Sequence, residues 1–215
     1  MADDTTTTLL PKRGRPSLAR AKAIDRIIIE QARGMFFTEG FDAVSMEQVA
    51  NGAGISKVTL YARHPSKEDL FTAVVLDMIG QWAQEASRFD HLLTADIAQR
   101  LRHHAHLMVK SLSQPEVIAF QRVLLGMQHR FPQLADAVAD AGYRYMVNIM
   151  RQDILDAAER DGIPVKDADG VARMIVVSIG GYQLYEVPNG KLTREELLAH
   201  ADRTIELAMA ARANW

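Results

Sequence analysis

Helix start and stop signals divide almost the whole sequence into helices. From residue 19 onward, apolar side chains recur at spacings of three and four residues, the period of one face of an α-helix. These stretches begin at Ser, Thr, Asp or Pro and end at Gly or Pro, as helices commonly do. Alternating β-branched runs joined by tight turns, which would indicate strands, are absent. The chain is therefore predicted to be all-α, with about nine helices.

The first four predicted helices are closely spaced. The first runs from Ala19 to Glu39, and Gly40 ends it as a left-handed cap would. A capping box, Ser-Met-Glu-Gln from Ser45, opens the second helix. Ser56 begins the third helix and Ser66 the fourth. Five more helices are predicted to begin at Thr94, Pro115, Pro132, Asp167 and Thr193, and the one from Pro132 is long and ends at Gly162.

Composition excludes several classes of protein. The 215 residues contain no cysteine, which removes disulfide frameworks, thiolate nucleophiles and zinc sites that need sulfur. The most apolar run, Met174–Gly181, is far shorter than the ~20 residues that span a bilayer. The first residues lack the basic start and apolar stretch of a signal peptide. We therefore expect a soluble, cytoplasmic protein with no membrane partner.

The charge is distributed unevenly along the chain. The formal net charge is −2, but residues 11–26 carry six basic side chains against one Asp, which is +5 and leaves −7 for the rest. Within this segment, Arg13-Gly14-Arg15-Pro16 resembles the core of an AT-hook, in which arginines enter the narrow minor groove of A/T-rich DNA. Arg13 and Arg15 are therefore candidate DNA contacts. The alternative is a flexible, solvated tail.

Motifs for enzymatic chemistry are missing from the sequence. It contains no Walker loop, dinucleotide glycine fingerprint, Gly-x-Ser-x-Gly elbow or His-Glu-x-x-His pair. His103 and His106 share one helix face, but no carboxylate one turn away completes a metal site, and His104 is predicted to point elsewhere. We therefore expect no enzymatic activity, no metal and no cofactor.

Two short helices separated by a glycine-containing turn indicate DNA binding. The helices that begin at Ser45 and Ser56 flank Gly52-Ala-Gly54, which matches a helix-turn-helix. An ordinary helical hairpin remains the alternative. In a helix-turn-helix the second helix enters the major groove, so its exposed residues contact DNA. The predicted contacts on and around this pair are Ser45, Ser56, Lys57, Val58, Thr59, Tyr61 and His64.

The chemistry of these side chains suggests what each contacts. Lys57 could bind a phosphate or a guanine, and Val58 is small enough to meet a thymine methyl group. Tyr61 and His64 have the reach and the donors for phosphate oxygens. Leu60 is expected to face the core instead.

Residues 36–71, FFTEGFDAVSMEQVANGAGISKVTLYARHPSKEDLF, resemble the TetR family of bacterial transcriptional regulators. The similarity extends over residues 22–82, and His64 stands where the family has Phe or Tyr. It implies a helix-turn-helix at residues 45–64 whose second helix reads DNA, and it implies a backbone contact by Lys67. It also divides the chain into a basic arm (1–21), a DNA-binding domain (22–82) and an effector-binding and dimerisation domain (83–215). Within that last region, residues 130–134 are similar to multidrug-type members.

The last two predicted helices are candidates for a dimer interface. The helix from Asp167 is apolar nearly all round, and the final helix has one apolar stripe. The resemblance implies that such a pair forms a four-helix bundle with a second copy, although both helices could instead complete a monomer core. The predicted interface residues are Val171, Ile175, Ile179, Leu197, Ala201, Ile205 and Ala208.

The resemblance also implies an effector pocket among the middle helices. Such a pocket would be apolar with a few polar anchors, and methionines would make its lining adaptable. The same residues could simply be core. The predicted lining residues are Trp82, Phe89, His106, Met108, Phe120, Leu124, Met127, Gln128, Tyr143, Met146, Met150, Gln183 and Tyr185.

Taken together, the sequence predicts a ligand-responsive transcriptional repressor. It would bind a palindromic operator as a homodimer and be released by a small apolar effector. The alternatives are an activator, an effector-independent regulator of the same fold, or a helical binding protein without a DNA function.

Overall fold

The computed structural model describes residues 18–86, 94–186 and 192–215, which contain helices and no strand. The all-α prediction is therefore confirmed. The α-helices are α1 Leu18–Glu39, α2 Met46–Gly52, α3 Lys57–Tyr61, α4 Lys67–Ala86, α5 Ile97–Leu112, α6 Pro115–Met127, α7 Pro132–Ala139, α8 Tyr145–Asp161, α9 Ala168–Glu186 and α10 Arg194–Ala210. A π-helical turn, Asp140–Arg144, joins α7 to α8. These two helices are therefore the single long helix that was predicted from Pro132 to Gly162.

Most predicted helix starts are confirmed by hydrogen bonds. The capping boxes at Ser45 and Thr193 are both formed, and the carboxylate of Asp167 accepts from the backbone N–H of Gly170 at 2.8 Å. The predicted start at Thr94 is wrong. Asp96 caps α5 instead, because its Oδ1 accepts from the N–H groups of two first-turn residues, at 2.8 and 3.2 Å.

Interlocking phenylalanine rings hold the N-terminal helices together. Phe71 of α4 lies 5.1–5.5 Å, centroid to centroid, from Phe36, Phe41 and Phe131. All four rings are buried. We call this cluster of buried side chains from α1 to α4 and from residues 120–134 the aromatic core. It includes Phe120, Leu124 and Leu134, so it continues well beyond residue 82, where the sequence suggested a domain boundary.

A second cluster, here called the aliphatic core, fills the space between α5, α8, α9 and α10. Its largest fully buried members are Leu101, Met150, Ile154, Ile175, Ile179 and Leu197. Trp215 closes one end, where its ring is buried and its Nε1–H donates to the carbonyl of Ala208 at 2.8 Å. None of the described helices is long and apolar enough to cross a membrane.

Candidate nucleic-acid interface and ligand cavity

The α2–α3 pair forms a compact helix-turn-helix. The hydroxyl of Ser45 accepts from the backbone N–H of Gln48 at 3.2 Å, and that of Ser56 accepts from the N–H of Thr59 at 3.1 Å. Between the two helices, Gly54 has a φ of +65°, a conformation that favours glycine. The N–H of Ile55 then donates back to the carbonyl of Ala50 at 3.0 Å. These bonds fix the direction in which α3 leaves the turn.

Helix α3 buries one side and presents the other to solvent. Leu60 is fully buried in the aromatic core. Val58 is 79% exposed and Tyr61 is 48% exposed. The ammonium group of Lys57 lies beside them and forms an ion pair of 2.8 Å with Glu47 of α2. The exposed side therefore combines an apolar tip, a phenol and a cation.

The residues that follow α3 fasten it to α1. The guanidinium of Arg63 donates to Asp25 Oδ1 at 2.5 Å and to the carbonyl of Ala21 at 3.2 Å. The Nε2 atom of His64 is buried and has no hydrogen-bond partner among the described residues. Burial lowers the pKa of His64. The predicted phosphate contact by His64 is therefore unsupported by its position, because this nitrogen faces the interior.

Lys67 supports the loop before α2. Its ammonium group donates to the carbonyls of Phe41, Asp42 and Val44 at 2.9, 3.3 and 3.0 Å. The same group lies 4.5 Å from the centroid of the Phe41 ring. Three carbonyl partners match its three N–H donors, so Lys67 stabilises the loop before α2. The predicted backbone contact by Lys67 stays a prediction, as do those of Arg13 and Arg15, which lie outside the described residues.

A cavity of about 640 Å³ opens among α4 to α9 and the π-helical turn. Its walls are mainly aromatic, aliphatic and methionine side chains, as predicted for an effector pocket. The predicted residues that line it are Trp82, Met108, Phe120, Leu124, Tyr143, Met146 and Tyr185.

Other predicted lining residues lie elsewhere. His106 pairs with Asp202 at 2.8 Å on the outer side of α5 and α10, and Gln128 is exposed. Met127 and Met150 are buried in the aromatic and aliphatic cores, respectively. Gln183 is buried behind the wall and donates to Gln121 at 3.2 Å. Helical spacing alone could not show whether each of these side chains lines the cavity, is buried in a core or faces solvent. Phe89 lies outside the described residues.

A buried polar cluster beside the cavity was missed by sequence reasoning. His104 lines the cavity, and its Nε2 lies 2.9 Å from Asp153 Oδ2. Arg100 forms an ion pair with the other carboxylate oxygen. Burial alone would raise the pKa of Asp153, but the hydrogen bonds from His104 and Arg100 outweigh it and lower that pKa. The signal was available, because His104 falls on the apolar stripe of α5 with Leu101 and Ala105.

The predicted dimer face needs correction. Six of its seven residues are almost completely buried within this chain, and only Val171 is partly accessible. The buried six are Ile175, Ile179, Leu197, Ala201, Ile205 and Ala208. They pack α9 and α10 into the aliphatic core, so a second copy could not reach them. A helix that is apolar nearly all round does not reveal which side faces its own chain.

Another side of α9 and α10 is open. Met174 is 51% exposed and Leu207 is 55% exposed. They flank a polar contact in which the hydroxyl of Ser178 lies 3.2 Å from that of Thr204 and 3.0 Å from Nε2 of His200. This surface, defined by Met174, Ser178, His200 and Leu207, is called the α9–α10 face below.

Two protein-family models match the chain. Residues 28–74 match the model described as bacterial regulatory proteins, tetR family. Residues 99–213, more than half of the chain, match the model of the AefR-like transcriptional repressor C-terminal domain.

Known proteins support the same assignment. A structure described as a TetR-family transcriptional regulator from Mesorhizobium loti MAFF303099 is 26% identical, with a TM-score of 0.74 over 89% of this chain and 98% of that one. The flavonoid-responsive regulator FrrA is 26% identical, with a TM-score of 0.68 over 88% and 97%. The transcriptional repressor ComR of Escherichia coli K12 is 34% identical over 84 residues, 39% of this chain. That alignment spans only 38% of ComR.

Proposed function

This chain belongs to the TetR family of bacterial regulatory proteins, and from that premise we propose that it represses transcription from a palindromic operator. It binds the operator as a homodimer in the cytoplasm, and a small, mainly apolar effector releases it. The observation that carries the proposal is the exposed side of α3, supported on its other side by Leu60 in the aromatic core. The repressor role is supported by the similarity to the repressor ComR and to the AefR-like transcriptional repressor C-terminal domain.

We propose that the exposed side of α3 contacts the bases of the operator. Val58 meets a thymine methyl group, and Lys57 exchanges Glu47 for a phosphate or a guanine. Thr59 and Tyr61 contact neighbouring bases or phosphates. Ser45 and Ser56 precede α2 and α3 and are exposed, so their hydroxyl groups can contact phosphates. Lys67 acts by bracing the loop, and Arg13 and Arg15 enter the adjacent minor groove.

The α9–α10 face is the proposed dimer interface. Its exposed Met174 and Leu207 would be buried by a second copy, and a two-fold axis places two copies of α3 on a palindrome. The effector occupies the cavity among α4 to α9. The aromatic walls and the similarity to a flavonoid-responsive regulator favour a molecule built on rings.

Selection of binding sites from a random DNA pool tests this function. The wild-type protein should enrich one palindrome, and its affinity for that site should fall steeply with salt. Lys57→Ala and Thr59→Ala should relax the base preference at fixed positions of each half-site. Lys166→Ala, which changes an exposed lysine of the loop before α9, is the matched control and should bind like the wild type.

The alternatives predict different results. A folded protein that enriches no DNA with or without ligand would contradict the proposal and favour a binding protein without a DNA function. Enrichment of single half-sites would contradict the dimer. An effector-independent regulator would bind the palindrome but would not be released by any ligand that fills the cavity. An activator would bind the palindrome and raise, rather than lower, transcription of a reporter placed behind it.

A further inference from the structure

The cavity wall contains a polar site that is built by two helices. His104 of α5 is only 6% exposed and lines the cavity, and Asp153 of α8 is 4% exposed. The 2.9 Å contact between His104 Nε2 and Asp153 Oδ2 holds the ring, and Arg100, one turn earlier on α5, ion-pairs with Asp153 Oδ1. A histidine held this firmly in a mainly apolar wall has a fixed direction for hydrogen bonding.

The hydrogen bonds of this cluster determine which nitrogen of the His104 imidazole carries the hydrogen. The pKa of Asp153 is lowered, so its carboxylate is ionised and can only accept hydrogen bonds. Nε2 of His104 must therefore carry the hydrogen that it donates to Asp153. The guanidinium of Arg100 pairs with the other carboxylate oxygen. In an imidazole that carries its one hydrogen on Nε2, Nδ1 has a lone pair and is an acceptor.

We propose that His104 determines the ligand specificity of the cavity by accepting a hydrogen bond at Nδ1 from a hydroxyl group on a ring-containing effector. This inference rests on the proposed role of the cavity as the effector site. The rings of Trp82, Phe120 and Tyr143 supply the apolar walls, and His104 supplies the polar anchor. A carboxylate in the same position would face a lone pair and the charge of Asp153. Such an acid would instead have to bind Lys110, an exposed residue at the edge of the cavity.

Matched ring probes test the acceptor. Isothermal titration calorimetry would compare a hydroxyflavone, the methoxyflavone substituted at the same carbon, and the corresponding flavone carboxylate. We expect the hydroxyl compound to bind about tenfold more tightly than the methyl ether, which corresponds to one hydrogen bond. His104→Phe keeps a ring of similar size and should abolish this preference. His106→Phe, on the outer side of the same helix, is the matched control and should retain it.

A second variant changes the hydrogen pattern without removing the ring. In Asp153→Asn the amide can donate to Nε2, which moves the ring hydrogen to Nδ1 and turns the acceptor into a donor. We expect the preference for hydroxyl over methoxy to be lost and binding of the carboxylate to improve several-fold. Circular dichroism would establish that both variants are folded.

The outcomes separate this inference from the proposed function. A preference for hydroxyl that survives His104→Phe, tighter binding of the carboxylate to the wild type, or no binding of any probe would overturn the role of His104. Operator binding is measured separately on the same protein. If hydroxyflavone binds through His104 but leaves the operator complex intact, the specificity role stands and effector-driven release is contradicted.

Discussion

The two cores of this protein are built differently. The aromatic core joins α1–α4 to residues 120–134 through stiff phenylalanine rings. The aliphatic core packs branched side chains of α5, α8, α9 and α10. All the buried polar or charged side chains among the described residues lie on these last helices: His104, Asp153, Gln183 and Thr204. The core that supports α3 buries apolar side chains, whereas the other core also buries polar groups that form hydrogen bonds with one another.

The cavity lies where the two cores meet. Trp82 and Phe120 on one wall belong to the aromatic core or pack against it, and Val176 on another wall belongs to the aliphatic core. A ligand in the cavity therefore contacts both. It can shift the orientation of one core relative to the other only if it binds one arrangement more tightly. Within the aromatic core, Arg130 joins the end of α6 to the N-terminal helices, since it forms ion pairs with Asp42 and Glu68.

The largest effect is expected from breaking the aromatic core. Phe71→Ala removes the ring that contacts three others and should lower the free energy of unfolding by about 4 kcal/mol. Urea denaturation followed by circular dichroism measures this loss. Phe71→Leu keeps most of the volume and should cost clearly less. A loss below about 1 kcal/mol in Phe71→Ala would contradict a tightly packed aromatic core.

A smaller effect is expected at the end of the aliphatic core. Trp215→Ala removes a buried ring and the bond from Nε1 to the carbonyl of Ala208, and should cost about 3 kcal/mol. Trp215→Phe removes mainly the hydrogen bond and should cost about 1 kcal/mol. Operator affinity, measured by fluorescence anisotropy below the unfolding transition, should be unchanged in both variants. A reduced affinity in the folded variants would mean that the two cores are coupled even without a ligand.

A still smaller effect is expected at the cap of α3. Ser56→Ala removes the cap of α3 and should cost about 1 kcal/mol of stability, with a loss of operator affinity because the five-residue helix frays. Ser56→Asp restores a good cap but places a negative charge against DNA. It should therefore recover the stability, measured by thermal unfolding, while affinity stays low. Equal recovery of both quantities would remove Ser56 from the DNA-facing surface.

Local signals predicted the fold well because helix caps act over three residues. Ser45, Ser56 and Thr193 cap their helices as the sequence indicated. The error at Thr94 has the same local origin, since Asp96 competes for the same N–H groups two residues later.

The candidate site was harder to predict because it depends on contacts distant in sequence. His104 is separated from Asp153 by 49 positions, and no spacing rule connects them. Ile175 and Met174 are neighbours and both are apolar, yet one is buried and the other exposed. Only the packing of α9 against its own chain decides between them. The exposed side of α3 was accessible to sequence reasoning because a cap, a turn and one buried leucine determine it.

We expect acid to destabilise the two cores in different pH ranges. The loss near neutral pH is the smallest change in stability expected here. Burial lowers the pKa of His64, which follows α3 in the folded chain, so the unfolded chain binds the proton first. The stability contributed by neutral His64 is complete above the unfolded pKa of about 6.5 and falls as the pH drops below it. Asp153 also has a lowered folded pKa, so its contribution is complete above about pH 4 and is lost only in stronger acid.

Urea midpoints measured from pH 8 to pH 3 check this order. Fluorescence of Trp82 in a Trp215→Phe background reports on the helices of the aromatic core, and Trp215 in a Trp82→Phe background reports on the aliphatic core. The urea midpoint reported by Trp82 should fall between about pH 7 and pH 5, and the midpoint reported by Trp215 only below about pH 4. His64→Gln should flatten the fall between pH 7 and pH 5 and leave the fall below pH 4, because glutamine does not titrate whereas histidine does. If the midpoint of His64→Gln falls as steeply as that of the wild type between pH 7 and pH 5, a group other than His64 makes the aromatic core sensitive to acid.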